Sequence, residues 1–374
     1  MRQRSANEGA RVLFGPSWSS RPAALGFGAW AVGGAGWGQP DEIESRHAAV
    51  VAALDGGITC FDTAPTYGAG ESERILGRAL RPHRDRVVIA TKVGPRDDPR
   101  RSLEDSLRRL DSDYVDLVQL HEPLERWEWA LETLDRLRHE GKARAIGLCN
   151  ATHLQLARAG QIAPLASAQS AYNLFDRDVE ERDLAFCREQ DLAVLAYRPL
   201  ASGLLTGKYQ ASPDFPPGDH RRQIYWFRGA EFERRQTALA SLRPLADRLG
   251  ISLATLALRW LLSRPGVTIV LAGARNRAQV QENLLAQEAT LPPEAQQEID
   301  DIVRAVFRLP RATPAAATHA ATWGPRERFI VERLDGTRTA ESIAAEWTDR
   351  GEQPMVAAQV KVFADALRDG DLAA

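Results

Sequence analysis

One short stretch of the sequence joins a strand to a polar loop: Phe61-Asp62-Thr63-Ala64-Pro65-Thr66-Tyr67-Gly68. The apolar run 57–61 that leads into it is typical of a buried strand, and a helical pattern begins near Glu71. Asp62 leaves the strand end, and Tyr67 follows in a loop that contains a proline and stops at a glycine. Because one short loop carries both side chains, we expect them to meet in one pocket with partners from elsewhere in the chain.

The same unit of a short apolar strand followed by a helix recurs eight times. Strands are predicted at residues 24–30, 57–61, 87–91, 114–120, 143–148, 165–170, 192–197 and 267–272, with a longer insertion rich in Pro and Gly at 198–229. Eight units in about 270 residues match a (β/α)8 barrel in size and repeat number. A doubly wound sheet would need a Gly-x-Gly-x-x-Gly turn, and Gly33-Gly34-Ala35-Gly36 lacks that spacing. The sequence therefore predicts an α/β protein built as a (β/α)8 TIM barrel.

The composition changes near Pro310. We expect the barrel to occupy residues 1–308. Residues 309–325 are predicted to be a linker, because Ala, Thr and Pro predominate there and large apolar residues are scarce. Apolar periodicity returns in residues 326–374, where Thr339 is expected to cap a helix that carries Ile343 and Trp347. This last part is predicted to be a small, mainly helical C-terminal appendix.

Charge, cysteine content and hydropathy disfavour several classes of protein. The formal net charge of -2 offers no broad positive field for nucleic acid. The three scattered cysteines indicate neither a disulfide framework nor a metal site, and the chain has no Cys-x-x-Cys or His-x-x-x-His spacing. No apolar run has transmembrane length and no apolar signal segment follows Met1, so a cytoplasmic location is expected. A Ser-His-Asp hydrolase is disfavoured because no Gly-x-Ser-x-Gly elbow is present.

Four polar side chains follow the ends of the second, third and fourth predicted strands: Asp62, Tyr67, Lys92 and His121. Strand ends of a barrel converge on one mouth, so we expect the four to lie together. Each alone has a plainer explanation, since Asp62 would suit a turn cap, Tyr67 rim packing, Lys92 a solvated surface, and His121 a bond to a backbone carbonyl. Lysine is rare here, at four of 48 basic residues, which adds weight to Lys92.

Taken together, these groups suit protonation of a developing alkoxide. A phenol has a pKa of about 10, so it is a poor acid near neutral pH unless a nearby cation lowers that pKa. We expect Lys92 to lower the pKa of Tyr67, with Asp62 keeping the ammonium charged. His121 would then orient a carbonyl oxygen toward Tyr67. The predicted chemistry is carbonyl reduction.

Ordered motifs over residues 24–305 resemble the aldo-keto reductase family. They are the opening stretch, Ala90-Thr91-Lys92, Val118-Gln119-Leu120-His121, Ile146-Gly147-Leu148-Cys149-Asn150, Gln169-Ser170-Ala171-Tyr172-Asn173, the run 197–208 and the run 272–283. The resemblance implies a barrel that uses NADPH, or less often NADH. It also implies a catalytic tetrad of Asp62, Tyr67, Lys92 and His121, with Tyr67 as the general acid.

The function expected from this resemblance is NADPH-dependent reduction of an aldehyde or ketone to an alcohol. A natural-product or sugar intermediate is one expected class of substrate. The alternative is a cofactor-binding regulatory or interaction protein with slow turnover.

The resemblance also implies a cofactor site. Asn150 and Gln169 match the ligands of the nicotinamide carboxamide, Tyr197 matches the aromatic stacked on the nicotinamide ring, and Arg275 suits a 2′-phosphate, which favours NADPH. Two positions depart from the family pattern, because Cys149 and Arg198 stand where serine is common. The full expected set is Gly28, Ala29, Trp30, Asn150, Gln169, Tyr197, Arg198, Leu200, Ser202, Gly203, Leu204, Gly207, Lys208, Gly273, Ala274, Arg275, Gln279, Glu282 and Asn283.

Two further features bear on ligands and partners. Trp30, Trp37 and Trp226 fit either a substrate pocket or ordinary packing. The run 334–343 resembles PqqD-type winged-helix domains that bind leader peptides, against the alternative of a packing or dimerisation module. The expected partners are a small carbonyl substrate and a peptide or protein at the appendix, with no nucleic acid, no membrane and no metal.

Overall fold

The computed structural model describes residues 24–38, 41–124, 126–180, 183–307, 330, 338–349 and 360. The predicted linker and most of the predicted appendix lie outside these residues.

Eight parallel strands close into a barrel in chain order, which confirms the predicted fold. Gly28 of the first strand pairs with Asp62 of the second and with Gly273 of the last, so these residues lie side by side at the carboxyl end of the barrel. The strands are β1 (Ala24–Gly28), β2 (Cys60–Asp62), β3 (Val88–Val93), β4 (Val115–Leu120), β5 (Ala143–Cys149), β6 (Leu165–Ala171), β7 (Ala193–Tyr197) and β8 (Ile269–Gly273).

Helices surround the barrel. They are α1 (Ile43–Asp55), α2 (Glu71–Leu80), α3 (Pro99–Leu110), α4 (Trp127–His139), α5 (His153–Ile162), α6 (Asp183–Glu189), α7 (Gly229–Leu249), α8 (Leu253–Leu262), α9 (Arg277–Glu288), α10 (Pro293–Phe307) and α11 (Ala340–Asp349). The insertion 198–229 after β7 contains short 3-10 turns at Ala201–Thr206, His220–Gln223 and Tyr225–Phe227. These turns lie in the longest connection between a described strand and its helix.

Side-chain alternation along the strands explains which residues face the barrel interior. A compact apolar cluster that includes Cys60, Ala90 and Leu117 is separate from the large cluster that contains the buried residues of the helices. Successive side chains of a strand point to opposite faces. Asp62, Lys92 and Gln119 each lie two positions after a member of the compact cluster, so their side chains enter the barrel interior near its mouth.

The loops that follow β1 and β2 touch through two glycines. Gly68 has a φ of 62°, and a Cβ there would lie 2.1 Å from the carbonyl oxygen of Gly33. A Cβ on Gly33 would in turn lie 2.7 Å from the carbonyl carbon of Tyr67. Only glycine fits at this contact, which holds the backbone of Tyr67 against the loop that carries Trp30.

The described part of the appendix packs on the barrel. The backbone N–H of Ser342 donates to Thr339 Oγ1 at 3.1 Å, which confirms the predicted cap of α11. Ile343 and Trp347 are buried, as their apolar stripe predicts. Tyr225 donates to Glu341 Oε1 at 3.2 Å, so α11 contacts the insertion 198–229. The proposed boundaries of the linker and the appendix stay predictions.

The glycine contact yields a test with a matched control. Gly57 also has a positive φ, of 86°, but a Cβ there meets nothing within 4 Å. We expect Gly57→Ala to lower the free energy of unfolding by about 1 kcal/mol, the cost of a left-handed alanine. Gly68→Ala should cost about 2 kcal/mol more because of the steric overlap. Urea unfolding followed by circular dichroism measures both, and equal losses would contradict the close contact.

Candidate active site

Lys92, at the carboxyl end of β3, lies at the centre of the site. Its Nζ donates to Asp62 Oδ1 at 2.5 Å, to the carbonyl oxygen of Thr63 at 2.9 Å and to the hydroxyl of Tyr67 at 3.4 Å. Its side chain is only 1% exposed, and that of Asp62 is 4% exposed. The strands therefore place an ion pair inside the protein with the tyrosine hydroxyl beside it.

The carboxylate of Asp62 keeps the buried ammonium charged. Burial is the largest single influence and would lower the pKa of Lys92. The charge of Asp62 and the contributions from Tyr67, Cys149 and the hydrogen bond to Asp62 together outweigh burial, so the pKa is raised. The second oxygen of Asp62 accepts from Gln169 Nε2 at 2.9 Å and from Gln119 Nε2 at 3.4 Å. With both oxygens engaged, Asp62 is a partner of Lys92 rather than a free base.

Tyr67 differs from the sequence expectation in one respect. Burial raises the pKa of its phenol, and Lys92 only partly opposes this rise. Lys92 lowers the pKa of Tyr67, as expected, but burial outweighs this effect, so the expectation of a net lowering is wrong. Because its pKa is raised, Tyr67 keeps its proton at neutral pH, and its ring stacks on Trp30 with centroids 5.8 Å apart.

His121, which follows β4, completes the group. Its ring lies edge-on to Tyr67 with centroids 6.2 Å apart. Burial, with a further contribution from the charge of Lys92, lowers the pKa of His121 to about 4. The imidazole is therefore neutral near pH 7, as a group that donates one hydrogen bond to a carbonyl oxygen requires.

The residues expected to bind the carboxamide are connected to this group. Asn150 has a φ of 55° and donates from Nδ2 to the carbonyl oxygen of His121 at 3.1 Å. Its Oδ1 accepts from the hydroxyl of Tyr197 at 2.8 Å. Asn150, Gln169 and Tyr197 thus lie beside the four expected catalytic residues. The amide of Asn150 contacts His121, and the amide of Gln169 contacts Asp62.

A cavity of about 620 Å³ extends from Asp62 and Tyr67 along the mouth of the barrel. It is lined by most of the expected cofactor residues: Gly28, Trp30, Tyr197, Arg198, Leu200, Ser202, Gly203, Lys208, Gly273, Ala274, Arg275, Gln279, Glu282 and Asn283. The other five expected residues, Ala29, Asn150, Gln169, Leu204 and Gly207, are not among its lining residues. Ala29 and Leu204 are fully buried in the apolar core, so packing explains them.

One end of the cavity is cationic. Burial lowers the pKa of Lys208, and the charges of Arg221 and Arg275 lower it further, while Glu282 opposes them. Arg275 donates from Nη1 to the carbonyl oxygen of Trp37 at 2.9 Å, and its Nε lies 3.4 Å from Asp41 Oδ2. Three converging cations at one end suit the phosphate groups of a dinucleotide.

Aromatic rings form the other wall. The imidazole of His220 lies 4.3 Å from the rings of both Trp30 and Trp37, measured between centroids. Its Nδ1 donates to the carbonyl oxygen of Gly36 at 2.5 Å, which ties the insertion 198–229 to the loop after β1. Trp30 and Trp37 line the cavity, as expected.

Trp226 is not among the residues that line the cavity. It packs beside Tyr225, with the guanidinium of Arg235 at 5.7 Å from its ring. The expectation that Trp226 lines a substrate pocket is therefore corrected: the turn that carries it places its ring in a separate packed cluster.

Sequence reasoning missed Gln119, His220 and Arg221. Gln119 lies within a motif that was recognised only for its histidine. The polar run Asp219-His220-Arg221-Arg222 within the insertion was the available signal for the other two. Arg221 pairs with Asp219 at 2.6 Å and lines the cavity.

A buried group of tyrosine, lysine, aspartate and histidine at a barrel mouth, beside a cavity with a cationic end, defines an oxidoreductase that uses a nicotinamide cofactor. The Aldo/keto reductase family description matches residues 24–304. The chain belongs to this family.

Named relatives agree with this assignment. Aldo-keto reductase YhdN of Bacillus subtilis is 38% identical over 75% of this chain and 89% of its own length. The solved glycerol dehydrogenase AKR11B4 of Gluconobacter oxydans is 36% identical with a TM-score of 0.68, and covers 75% of this chain and 91% of its own. An aldo-keto reductase of Klebsiella pneumoniae, solved with NADPH, is 29% identical with a TM-score of 0.58 over 75% and 90% of the two chains.

Family membership confirms the predicted barrel fold. It also confirms the predicted enzyme class, an NAD(P)H-dependent oxidoreductase that acts on carbonyl and alcohol groups. In the part of the chain that the structure describes, no helix has the length and apolar character needed to cross a membrane.

The buried pair of Asp62 and Lys92 can be tested by a double-mutant cycle. Asp62→Asn leaves a buried ammonium without its counter-charge, and Lys92→Met leaves a buried carboxylate. Each should lower the free energy of unfolding by about 3 kcal/mol or more. The double variant should lose less than the two single losses combined, because neither charge remains unpaired. Urea unfolding measures all three, and additive losses would argue against a buried ion pair.

Proposed function

We propose that this chain reduces the carbonyl group of a small aldehyde or ketone with NADPH, and that Tyr67 donates the proton. The contacts of Lys92 carry the proposal. Its ammonium lies 2.5 Å from Asp62 Oδ1 and 3.4 Å from the Tyr67 hydroxyl, inside the protein. A proton donor held beside a permanent buried cation is the arrangement that protonation of an alkoxide requires.

The cavity supports the choice of cofactor. Lys208, Arg221 and Arg275 would hold the phosphate groups, Tyr197 would stack on the nicotinamide, and Asn150 and Gln169 would bind its carboxamide. Bound NADPH supplies a hydride to the carbonyl carbon. The solved Klebsiella pneumoniae relative that binds NADPH supports the same choice.

The residues of this chain then have separate tasks. His121, neutral at physiological pH, donates a hydrogen bond that orients the substrate carbonyl. Tyr67 transfers its phenolic proton to the oxygen as negative charge develops there. Lys92 stabilises the resulting phenolate, and Asp62 holds Lys92 in its charged form. Trp30 stacks on the ring of Tyr67 and so helps to hold the phenol in place.

The first test concerns Tyr67. We expect Tyr67→Phe to lower kcat/KM for activated aldehydes at least about a hundredfold, because the general acid is lost. Tyr114→Phe is the matched control. Tyr114 immediately precedes β4, and its ring contacts the guanidiniums of Arg84 and Arg144. Removal of its hydroxyl should change kcat/KM less than twofold.

The absorbance of NADPH at 340 nm measures both reactions. If wild type and Tyr67→Phe oxidise NADPH equally slowly with every aldehyde of a panel, the alternative of a slow regulatory or interaction protein is supported instead.

The second test concerns Arg275. If its guanidinium contacts the 2′-phosphate, Arg275→Ala should raise the Kd for NADPH at least about tenfold and the Kd for NADH less than threefold. Arg277→Ala is the control, because Arg277 is exposed at the start of α9 and does not line the cavity. Quenching of tryptophan fluorescence measures the four constants, and equal losses for the two cofactors would remove the assignment.

A cytoplasmic location and a peptide or protein partner at the appendix stay predictions. The specific natural-product or sugar substrate also stays a prediction.

A further inference from the structure

Arg198 occupies an unusual place in the cavity. It follows Tyr197 at the end of β7 and has a φ of 54°, a left-handed conformation that non-glycine residues adopt mainly at constrained sites. Its guanidinium carbon lies 5.5 Å from the centroid of the Tyr197 ring and 5.8 Å from the centroid of the Trp30 ring. Trp30 stacks on Tyr67, so a single aromatic ring separates Arg198 from the proton donor.

The guanidinium of Arg198 has no acceptor within the described residues of the chain. Its Nε is buried and forms no hydrogen bond there. The other arginines of the cavity differ, since Arg221 pairs with Asp219 and Arg275 lies beside Asp41. Arg198 as a whole is half-buried, but a buried N–H without an acceptor is costly, and a ligand that brings an acceptor to this Nε removes that cost.

Asp176 is the carboxyl whose charge Arg198 influences most directly. Burial and the charge of Glu341 raise the pKa of Asp176 to about 7, and Arg198 and Arg235 only partly oppose this rise. Near neutral pH, Asp176 is therefore only partly ionised, and it forms no hydrogen bond with Arg198 in this structure.

Arg198 is not among the charges that act on the cationic end of the cavity. The charges that lower the pKa of Lys208, after burial, are those of Arg221 and Arg275. Arg198 lies against the rings of Trp30 and Tyr197, whereas Arg221 lies 5.2 Å from the centroid of the Trp37 ring. Because Trp30 also stacks on Tyr67, Arg198 lies near the proton donor, where the carbonyl of a substrate must bind.

We propose that Arg198 binds a carboxylate on the substrate, so that the preferred substrates of this enzyme are oxo acids. The inference rests on the proposed function and identifies its substrate class. A guanidinium suits this task because it stays charged, stacks on aromatic faces and binds a carboxylate through two parallel hydrogen bonds. One guanidinium matches the single charge of a carboxylate, whereas the three cations at the other end of the cavity match phosphates.

The test compares two aldehydes that differ in one charge. These are 4-carboxybenzaldehyde and its methyl ester, methyl 4-formylbenzoate, each reduced with NADPH. Wild type should show a kcat/KM at least about tenfold higher for the acid. Arg198→Gln should lower the ratio of acid to ester at least about tenfold, and Arg198→Lys should keep an intermediate ratio because it retains the charge without the planar fork.

Lys208→Gln is the matched control, because it removes the charge of a cation at the other end of the same cavity. It should raise the Kd for NADPH and leave the ratio of acid to ester within about twofold of wild type. If Arg198→Gln instead raises the Kd for NADPH and lowers kcat/KM for acid and ester equally, Arg198 is a cofactor ligand and the inference is overturned. A wild type that prefers the ester also overturns it.

A binding measurement separates this inference from the proposed function. Tryptophan fluorescence gives the Kd of 4-carboxybenzaldehyde and of the ester for the complex of enzyme with NADP⁺, without turnover. Tighter binding of the acid that is lost in Arg198→Gln supports the carboxylate site even if neither aldehyde is reduced. Equal binding of acid and ester by wild type overturns the inference even if both are reduced.

Discussion

The ammonium of Lys92 is held inside a protein interior that would ordinarily exclude a charge, and its surroundings depend on four of the eight strands of the barrel. Its counter-charge comes from Asp62 on β2, and a backbone carbonyl of the following loop accepts a second hydrogen bond. The other oxygen of Asp62 accepts from Gln119 on β4 and Gln169 on β6. Strands β2, β3, β4 and β6 must therefore be in register before this charge is satisfied, so the catalytic group depends on how these strands pair in the barrel.

Strand periodicity explains why so much of this site could be predicted from sequence. In a closed parallel barrel, an interior position recurs every second residue and every strand ends at the same mouth. Once the strand ends at Asp62, Lys92 and His121 are recognised, their convergence follows without knowledge of any tertiary contact. The eight repeated units could also be recognised from the sequence, because each is a local pattern of apolar residues followed by a helix.

The insertion 198–229 limited the prediction, because it has no such period. His220 reaches Gly36 across 184 positions of the sequence, and no local pattern indicates that contact. The turn at Tyr225–Phe227 likewise carries Trp226 into a separate cluster, which only the folded chain decides. The net direction of the pKa shift of Tyr67 was mispredicted for a related reason. It depends on how far distant loops bury the phenol, whereas the sequence indicated only the neighbouring cation.

Burial of Tyr67 has two consequences that a proton donor needs. Before reaction it raises the pKa of the phenol, so the proton stays in place at neutral pH. During proton transfer, the same low-dielectric surroundings strengthen the attraction between Lys92 and the charge that develops on the phenol oxygen. A solvent-exposed tyrosine beside a lysine would lose most of that attraction to water. The raised pKa is therefore compatible with general-acid catalysis, provided that Asp62 and Lys92 remain charged, and the same burial serves both the resting and the reacting state.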